Sequence, residues 1–226
     1  MATHLDLEEQ EQLDQIKHFW KRYGNVITWA LIAVLSAYAG WNGWQWWQRD
    51  QAFKAGTMFD ELERAVQAND VAKTVTVFAT LKERYPSTAF AEQGGLLAAK
   101  AQADSGKLDD ARGTLAWVAD NATETEYRTM ARLRLAALLL EQKKPDDALK
   151  QLDAATAPEF EALVADRRGD ILLSQEKKED AKAAYQRAYK AMDPKIEYRR
   201  LIEAKLIALG VAPPDAAASA AAGAKK

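Results

Sequence analysis

The side chains that most often perform enzymatic chemistry are scarce in this chain, and their positions restrict the reactions that it could catalyse. Both histidines, His4 and His18, precede a long uncharged segment, and the chain contains no cysteine. Everything from Asp50 onward therefore lacks the usual ligands of zinc, the base of a histidine-dependent triad and the best proton carrier near neutral pH. We expect no metal, no cofactor and no histidine- or cysteine-based catalysis.

Three weaker arrangements could serve catalysis or phosphate binding. Aspartate and glutamate are abundant, so two carboxylates could meet as general acid and base, although a solvated helix surface accounts for them more simply. Ser174 and Lys177 stand about one helical turn apart, but only their spacing suggests a catalytic pair. Gly94-Gly95 lies within a helical pattern and lacks the strand, lysine and serine of a phosphate-binding loop. The sequence thus predicts a protein that is not an enzyme and has no small-molecule substrate.

The charge of the chain argues against nucleic-acid binding. Four of the 31 basic and five of the 33 acidic residues precede Asp50, which leaves 27 basic and 28 acidic residues in the remainder. A nearly neutral domain has no electrostatic footprint for a phosphate backbone. Protein and lipid are therefore the expected partners.

The longest uncharged stretch, residues 23–48, predicts a transmembrane helix. A helix rises about 1.5 Å per residue, so ~20 apolar residues cross a hydrocarbon core of about 30 Å. Aromatic side chains that prefer the lipid headgroup region flank the segment on both sides. The residues that we predict at the membrane interface are Trp20, Tyr23, Trp41, Trp44, Trp46 and Trp47.

Two alternatives to a membrane span are open at the level of sequence. A buried helix of a soluble protein would carry a polar stripe, which the stretch from Thr28 to Asn42 lacks apart from Thr28 itself and Ser36. A cleaved signal peptide would fit the small residues Ala37 and Ala39, but the preceding region is long and acidic. Cleavage would also leave the later tryptophans exposed to water.

Basic residues near the two ends of the span predict its orientation, because the end with more lysine and arginine tends to stay inside. The flanking residues are Lys17, Lys21 and Arg22 before the span and Arg49 and Lys54 after it. In the inner membrane of a bacterium, residues 1–22 would then form an acidic cytoplasmic tail. The domain that follows the span would lie in the periplasm.

Residues 50–210 are rich in helix formers and carry a repeated turn. The turn reads Lys107-Leu108-Asp109-Asp110-Ala111, then Lys144-Pro145-Asp146-Asp147-Ala148, then Lys178-Glu179-Asp180-Ala181, with its alanines 37 and 33 residues apart. Paired acids suit a helix N-terminus. A small alanine lets two helices approach closely. A period of about 34 residues built from two helices is the tetratricopeptide pattern. We therefore predict an all-α protein, one transmembrane helix followed by a tetratricopeptide-like solenoid, with a non-repeating helical bundle as the alternative.

Residue pairs that favour helix ends divide this domain into segments of ordinary helix length. The β-branched run from Val71 to Val77 could also form a strand, but the cap at Asn69-Asp70 and the stop at Pro86 favour a helix. A degenerate additional repeat can be fitted to the region that ends at Pro86. The breaks are predicted at Asn69-Asp70, Pro86-Ser87, Ser105-Gly106, Asn121-Ala122, Lys144-Pro145, Ala157-Pro158, Glu176-Lys177 and Asp193-Pro194. The final segment, residues 211–226, is rich in alanine and proline and is predicted to be disordered.

Stacked repeats of this type present a face lined by the first helix of each pair, where they usually hold a peptide or helix of a partner. We call the residues that fall on this face the predicted groove. They are Leu96 and Lys100 in one repeat, Met130, Leu133, Ala137 and Leu140 in the next, and Asp166, Asp170 and Leu173 in the last. Beyond them, Ile202, Leu206 and Leu209 suit a helix that caps the array.

The chain as a whole resembles the bacterial YfgM family, the ancillary subunit of the SecYEG translocon. The similarity begins at Leu13-Asp14-Gln15-Ile16-Lys17, includes Trp20 and Tyr23-Gly24, and extends through one span and the helical domain to about residue 209. Further matching strings are Ala131-Arg132-Leu133-Arg134-Leu135-Ala136, Ala148-Leu149-Lys150-Gln151-Leu152 and Arg168-Gly169-Asp170-Ile171-Leu172. The tail after Val211 departs from the family pattern.

The resemblance implies binding to SecYEG and to the membrane-anchored periplasmic chaperone PpiD. It also implies a role in handing newly exported polypeptides to periplasmic folding factors, and it supplies no individual binding residues. The alternative is a membrane-anchored repeat scaffold for a different cell-envelope assembly complex, because repeat arrays of this shape serve both purposes. The identity of the partner separates the two.

Overall fold

The computed structural model describes residues 7–211 of the chain, with side chains from residue 13 onward. This part forms nine α-helices and one short 3-10 helix at Pro158–Phe160, and it contains no β-strand. The α-helices are α1 (Leu7–Gln67), α2 (Val71–Arg84), α3 (Ala89–Asp104), α4 (Leu108–Asn121), α5 (Thr125–Glu141), α6 (Pro145–Asp153), α7 (Glu161–Ser174), α8 (Lys178–Ala191) and α9 (Tyr198–Ala208). The predicted disordered tail lies outside the described residues, apart from Val211, as do the first six residues of the N-terminal tail.

By packing, the chain divides into two units, Met1–Gln51 and Ala52–Lys226, and α1 runs from the first into the second without a break. Helix α1 is long and apolar enough to cross a membrane, with a mean hydropathy of 1.3 in its most apolar window. Only 6% of that window is buried, whereas the core helix of a soluble protein would be mostly buried. The structure therefore supports a candidate membrane span over a buried core helix.

The second unit is a series of helix pairs in the tetratricopeptide order, which confirms the predicted fold class. The end of α1 pairs with α2, and the pairs α3–α4, α5–α6 and α7–α8 follow before α9 closes the series. Leu62 of α1 packs with Val77 and Phe78 of α2, so the degenerate additional repeat is a helix pair as well. Helix α3 also contacts α5, and α5 contacts α7, so the first helices adjoin one another.

The predicted breaks fall at helix ends or in connecting segments throughout the second unit. The ambiguous run that begins at Val71 is the start of α2 and not a strand. The side chain of Asp70 caps this helix, because its Oδ1 accepts a hydrogen bond from the Lys73 N–H at 2.9 Å. Helix α2 ends at Arg84, just before Pro86. The local signals therefore predicted this helix correctly.

Helices α1, α3, α5, α7 and α9 all end with the same backbone turn, a Schellman motif with one residue in the left-handed conformation. At the end of α3, for example, the Gly106 N–H donates to the Ala103 carbonyl and the Lys107 N–H to the Gln102 carbonyl, both at 2.9 Å. Because this turn recurs, it provides a register for comparing the repeats. The left-handed residues are Asn69, Gly106, Lys143, Glu176 and Gly210.

Small residues allow the paired helices to approach closely, as the repeated turn predicted. Ala111, Ala148 and Ala181 open the second helices of three pairs, and each is fully buried. In the last pair, Gly169 of α7 lies against Tyr185 of α8, and a Cβ at Gly169 would stand only 2.4 Å from the Tyr185 ring. The first helices thus sit at fixed distances from their partners, which positions the side chains on their other faces.

Candidate protein-binding groove

The face formed by the first helices opens into a cavity of about 380 Å³ between α3 and α5. This volume falls in the range of about 300–1,000 Å³ that is typical of ligand pockets. Five of its eight lining residues are alanine or leucine, and the other three are charged. The lining residues are Ala99, Lys100, Ala103, Leu115, Arg134, Ala137, Leu138 and Glu141. Short alanine side chains leave the space, and the two leucines form apolar walls.

Two residues of the predicted groove, Lys100 and Ala137, line this cavity. Lys100 is exposed and forms an ion pair with Asp104, one turn further along α3. Both side chains of this pair are exposed, so the contact is a surface ion pair screened by water. Ala137 is partly buried and contributes a methyl group to the cavity wall.

The other apolar residues of the predicted groove lie closer to the core. Leu96 is only 5% exposed and belongs to the main hydrophobic cluster. Met130, Leu133 and Leu140 of α5 are partly buried and pack against the same cluster. Leu173, near the end of α7, is 38% exposed and therefore available at the surface. Sequence spacing placed these residues on the first helices but could not separate surface side chains from core side chains.

The two aspartates of the predicted groove are occupied by the chain itself. The Lys205 ammonium of α9 lies 2.8 Å from Asp166 Oδ1 and 2.7 Å from Asp170 Oδ1. The Tyr198 hydroxyl donates to Asp166 and the Tyr185 hydroxyl to Asp170, each at 2.8 Å. Asp166 is 1% exposed, so it lies beneath α9 and not on an open surface. The capping helix therefore closes this end of the groove.

The same network determines the ionisation of its two tyrosines. Burial, together with the hydrogen bond to Asp166, raises the pKa of Tyr198 to about 12. Burial and the hydrogen bond to Asp170 raise the pKa of Tyr185 further still. Both hydroxyls consequently remain protonated donors at any physiological pH. The carboxylates are held as acceptors of a lysine and two tyrosines, an arrangement that ties α7, α8 and α9 together.

Arg134 is a cavity residue that sequence reasoning did not single out. Its Nη1 donates to the Leu96 carbonyl of α3 at 3.1 Å, and desolvation lowers the pKa of its guanidinium. In the described part of the chain it has no carboxylate partner. Aligning the repeats on their left-handed residues would have drawn attention to it. In that alignment Arg134 matches Arg167, because each stands the same number of residues before the left-handed residue of its helix, Lys143 or Glu176.

The other residues that the sequence offered as candidates for catalysis or phosphate binding lie in ordinary helical structure. The Ser174 hydroxyl donates to the Ile171 carbonyl of its own helix at 2.6 Å, and Lys177 lies in the turn before α8. Gly94 and Gly95 lie inside α3, where a Cβ at Gly95 would meet Val118 at 2.4 Å. Close helix packing therefore explains the glycine pair. Among residues 7–211, we find no group of three metal-ligating side chains.

A larger cavity of about 470 Å³ lies among α6, α7, α8 and the 3-10 helix, but its charges are internally satisfied. Arg168 Nη2 pairs with Asp153 at 2.6 Å, and Arg187 Nη2 pairs with Glu161 at 2.9 Å. It offers no unpaired charge to orient a ligand, whereas the α3–α5 cavity presents Arg134. The smaller cavity is therefore the better candidate site.

The aromatic residues predicted at the membrane interface are exposed on α1 within the first unit. Their exposed fractions run from 45% for Tyr23 and Trp47 to 71% for Trp46. Trp44 and Trp47 pack ring to ring with centroids 5.4 Å apart. Exposed aromatic rings of this kind suit a lipid headgroup layer.

Comparison with known proteins decides the family. A family model described as a tetratricopeptide repeat-like domain matches residues 17–211. A Neisseria gonorrhoeae protein described as ancillary SecYEG translocon subunit is 33% identical over 154 residues, which cover 68% of this chain and 73% of that protein. The chain belongs to this family. A Haemophilus influenzae protein with the same description is 26% identical over 147 residues, 65% of this chain and 72% of that protein.

Membership of the ancillary subunit family agrees with the resemblance seen in the sequence. The family match runs through both units of the chain, since it begins at residue 17 in α1 and ends just after α9. Together, the family and the exposed apolar N-terminal helix indicate a membrane-anchored protein. The tetratricopeptide-like domain is of the kind that binds other proteins through its stacked helices.

Proposed function

We propose that this protein is a non-catalytic adaptor of the bacterial inner membrane that associates with the SecYEG translocon and binds protein segments in its groove. The observation that carries the proposal is the similarity to relatives described as ancillary SecYEG translocon subunits over about two thirds of the chain. The α3–α5 cavity supports it, because apolar walls with a few charged groups suit a side chain of a polypeptide.

The proposal includes an orientation for the chain. The basic residues before the span favour a cytoplasmic N-terminus, which would place the repeat unit in the periplasm, where exported polypeptides emerge. Such polypeptides and the chaperone PpiD are the further partners implied by the family resemblance. An adaptor at this place would keep an emerging segment close to the membrane until a folding factor takes it.

The test is quantitative co-purification from membranes. A tagged full-length chain is isolated in mild detergent, and all associated proteins are quantified against an untagged strain. We expect SecY to be enriched, and PpiD with it. Recovery of a different envelope complex with SecY at background would contradict the proposal and favour the alternative scaffold function.

A matched pair of variants locates the contact. In one variant an unrelated transmembrane sequence replaces residues 23–48, and in the other the anchor is kept but residues 52–226 are exchanged for an unrelated soluble domain. If the repeat unit makes the contact, the first variant retains SecY and the second loses it. The reverse result would assign the contact to the membrane helix and remove the groove from the translocon interaction.

A further inference from the structure

Two successive repeats carry an arginine at the same repeat position, but only one of the two arginines has a carboxylate partner within the described residues. Arg134 and Arg167 both lie nine residues before the left-handed residue that ends their helix, Lys143 and Glu176 respectively. They therefore occupy equivalent positions in successive repeats.

The difference lies one turn further along each helix. Arg167 Nη1 stands 3.6 Å from Oδ2 of Asp170, which supplies its carboxylate from the same helix. In the preceding repeat the position equivalent to Asp170 is Ala137, which cannot supply one. Arg134 is left with a single hydrogen bond to the Leu96 carbonyl, and no carboxylate of the described chain pairs with it.

The surroundings of Arg134 favour an anionic ligand. Arg134 is exposed to an incoming ligand, and desolvation of the part of its side chain that is buried lowers the pKa of its guanidinium. A guanidinium presents five donors in a planar fork, and only one is used here. An incoming carboxylate could accept two of the others. The nearby Lys100 differs from Arg134 in that it already forms an exposed ion pair with Asp104 of its own helix.

The rest of the cavity specifies what accompanies the carboxylate. Ala99, Ala103, Leu115 and Leu138 form an apolar wall beside the guanidinium, which suits a leucine-sized side chain. Glu141, a further lining residue on α5, places a negative charge two turns from Arg134 and would repel a second acid. The lining therefore favours a bound segment with a single acidic residue beside an apolar one over a segment with several acidic residues in a row.

We infer that the α3–α5 cavity binds a protein segment in which one aspartate or glutamate neighbours a large apolar residue, with the carboxylate on Arg134 and the apolar side chain against the alanine and leucine wall. This inference rests on the proposed function as a protein-binding adaptor and names the chemistry of the segment that it takes. Arg134 is available because position 137 is an alanine, whereas the equivalent position of the next repeat is the aspartate that pairs with Arg167.

The test compares two short fluorescent peptides with blocked ends, Ser-Gly-Leu-Glu-Leu-Gly-Ser and the same peptide with glutamine for glutamate. Binding to the full-length chain in detergent micelles is measured by fluorescence anisotropy at low salt. We expect the glutamate peptide to bind about tenfold more tightly, the size of one charge-assisted hydrogen-bonded contact. Because the probe is not the natural segment, the ratio between the peptides is the readout.

Two variants test the assignment to Arg134 by different routes. Arg134→Gln removes the cation, and Ala137→Asp supplies the internal carboxylate that Asp170 supplies in the next repeat. Both substitutions lie at the cavity lining and should leave the helical circular dichroism unchanged. We expect each to reduce the preference for glutamate to less than about twofold. Arg112→Gln, on α4 and outside the cavity, is the matched control and should retain the tenfold preference.

Three results would overturn the inference: equal binding of the two peptides to the unchanged chain, no binding of either at millimolar concentration, or an undiminished preference in either Arg134→Gln or Ala137→Asp. Co-purification of SecY with the Arg134→Gln chain is measured in parallel. SecY recovered with the unchanged chain, while that same chain shows no preference between the two peptides, would remove this inference and leave the proposed function standing. SecY absent from the unchanged chain would instead remove the proposed function, whatever the peptides do.

Discussion

At the scale of single residues, the contact between Gly169 and Tyr185 shows how strongly helix packing restricts this chain. The Tyr185 ring occupies the space where any larger side chain at position 169 would begin, and the tyrosine is itself held by Asp170. Gly113 of α4 provides a contrast, because it is also inside a helix but has open space around it. A larger side chain would therefore clash at Gly169, whereas Gly113 has room for one.

We expect Gly169→Ala to destabilise the repeat unit and Gly113→Ala to stabilise it. Overpacking costs about 1–3 kcal/mol, and the better helix propensity of alanine returns about 1 kcal/mol. The net loss for Gly169→Ala should therefore be at most about 2 kcal/mol, whereas Gly113→Ala should gain about 0.5–1 kcal/mol. Urea unfolding of the full-length chain in detergent, followed by circular dichroism, measures both. Equal effects of the two substitutions would contradict the packing at Gly169.

Glu92 is a second residue whose surroundings have a measurable consequence. It lies in α3, is 1% exposed, and its Oε1 accepts a hydrogen bond from the Thr123 N–H at 2.6 Å. Its Oε2 is buried without a hydrogen-bond partner in the described part of the chain. Burial, which is the largest cause, and the charge of Glu124 raise the pKa of Glu92 above its usual 4.5. The folded chain therefore binds this proton more tightly than the unfolded chain does.

The resulting contribution to stability is present at low pH and is lost as the pH rises through the raised pKa of Glu92. Glu92→Gln has no such titration, and its amide oxygen can still accept from Thr123. We expect the free energy of unfolding of Glu92→Gln, relative to the unchanged chain, to increase as the pH rises from 4 to 7. A flat difference over the same range would show that the Glu92 carboxyl is not desolvated.

Residue roles in the groove were only partly predictable from sequence. Spacing assigned Lys100 and Ala137 to the first-helix face, and both line the cavity between α3 and α5, because that face follows the helical period. Spacing could not show that Lys205 of α9 folds back onto Asp166 and Asp170, since this contact joins residues far apart in the chain. It also passed over Arg134, whose importance appears only when its missing carboxylate is compared with that of the next repeat.

At the scale of the element, the recurring left-handed turn explains why the repeats keep their period. Gly106 and Gly210 adopt the left-handed conformation without strain, but Lys143 and Glu176 carry a Cβ there. The repeat turn is thus maintained by its hydrogen bonds even where the residue type disfavours it. The Glu176 N–H donates to the Leu173 carbonyl at 3.0 Å in the same way as the Gly106 N–H donates in α3.

Replacing Glu176 by glycine should therefore stabilise the chain. A left-handed residue with a Cβ costs about 1–2 kcal/mol, and the extra freedom of glycine in the unfolded chain offsets about 0.5–1 kcal/mol of that. We expect a gain of roughly 0.5–1 kcal/mol for Glu176→Gly and a loss of about 1 kcal/mol for Gly106→Ala, read from urea midpoints. Destabilisation by Glu176→Gly would mean that its backbone does not adopt the left-handed turn.

The helices themselves were predictable because their signals are local. Asp70 as a cap, Pro86 as a stop and the acidic pairs before Ala111 and Ala148 each act within one or two turns of the chain. Even the short β-branched run of α2 was resolved by its flanking residues. The depth of the cavity between α3 and α5 was not predictable in this way, because it depends on the separation of two helices packed in different repeats.

At the scale of the whole molecule, the proposed orientation in the membrane can be tested by cysteine labelling. Because the chain contains no cysteine, a single introduced cysteine is the only site in it that a maleimide modifies. Asp14 before the span and Asp180 in α8 are both exposed, so each can be replaced by cysteine with little effect on packing. We expect a membrane-impermeant maleimide to modify Asp180→Cys in intact spheroplasts, and Asp14→Cys only after lysis. Labelling of Asp14→Cys alone in intact spheroplasts would reverse the topology and exclude a periplasmic groove.

The central claim, that the groove of a membrane-anchored adaptor works at the translocon, is tested most directly by photo-crosslinking in living cells. A photoreactive amino acid is introduced at Ala137 in the cavity and, as the control, at exposed Gly113 of α4, outside it. We expect adducts from Ala137 to contain SecYEG subunits or polypeptides in the course of export, well above the level from Gly113. Adducts at the Gly113 level, or adducts that contain neither class of protein, would contradict the account.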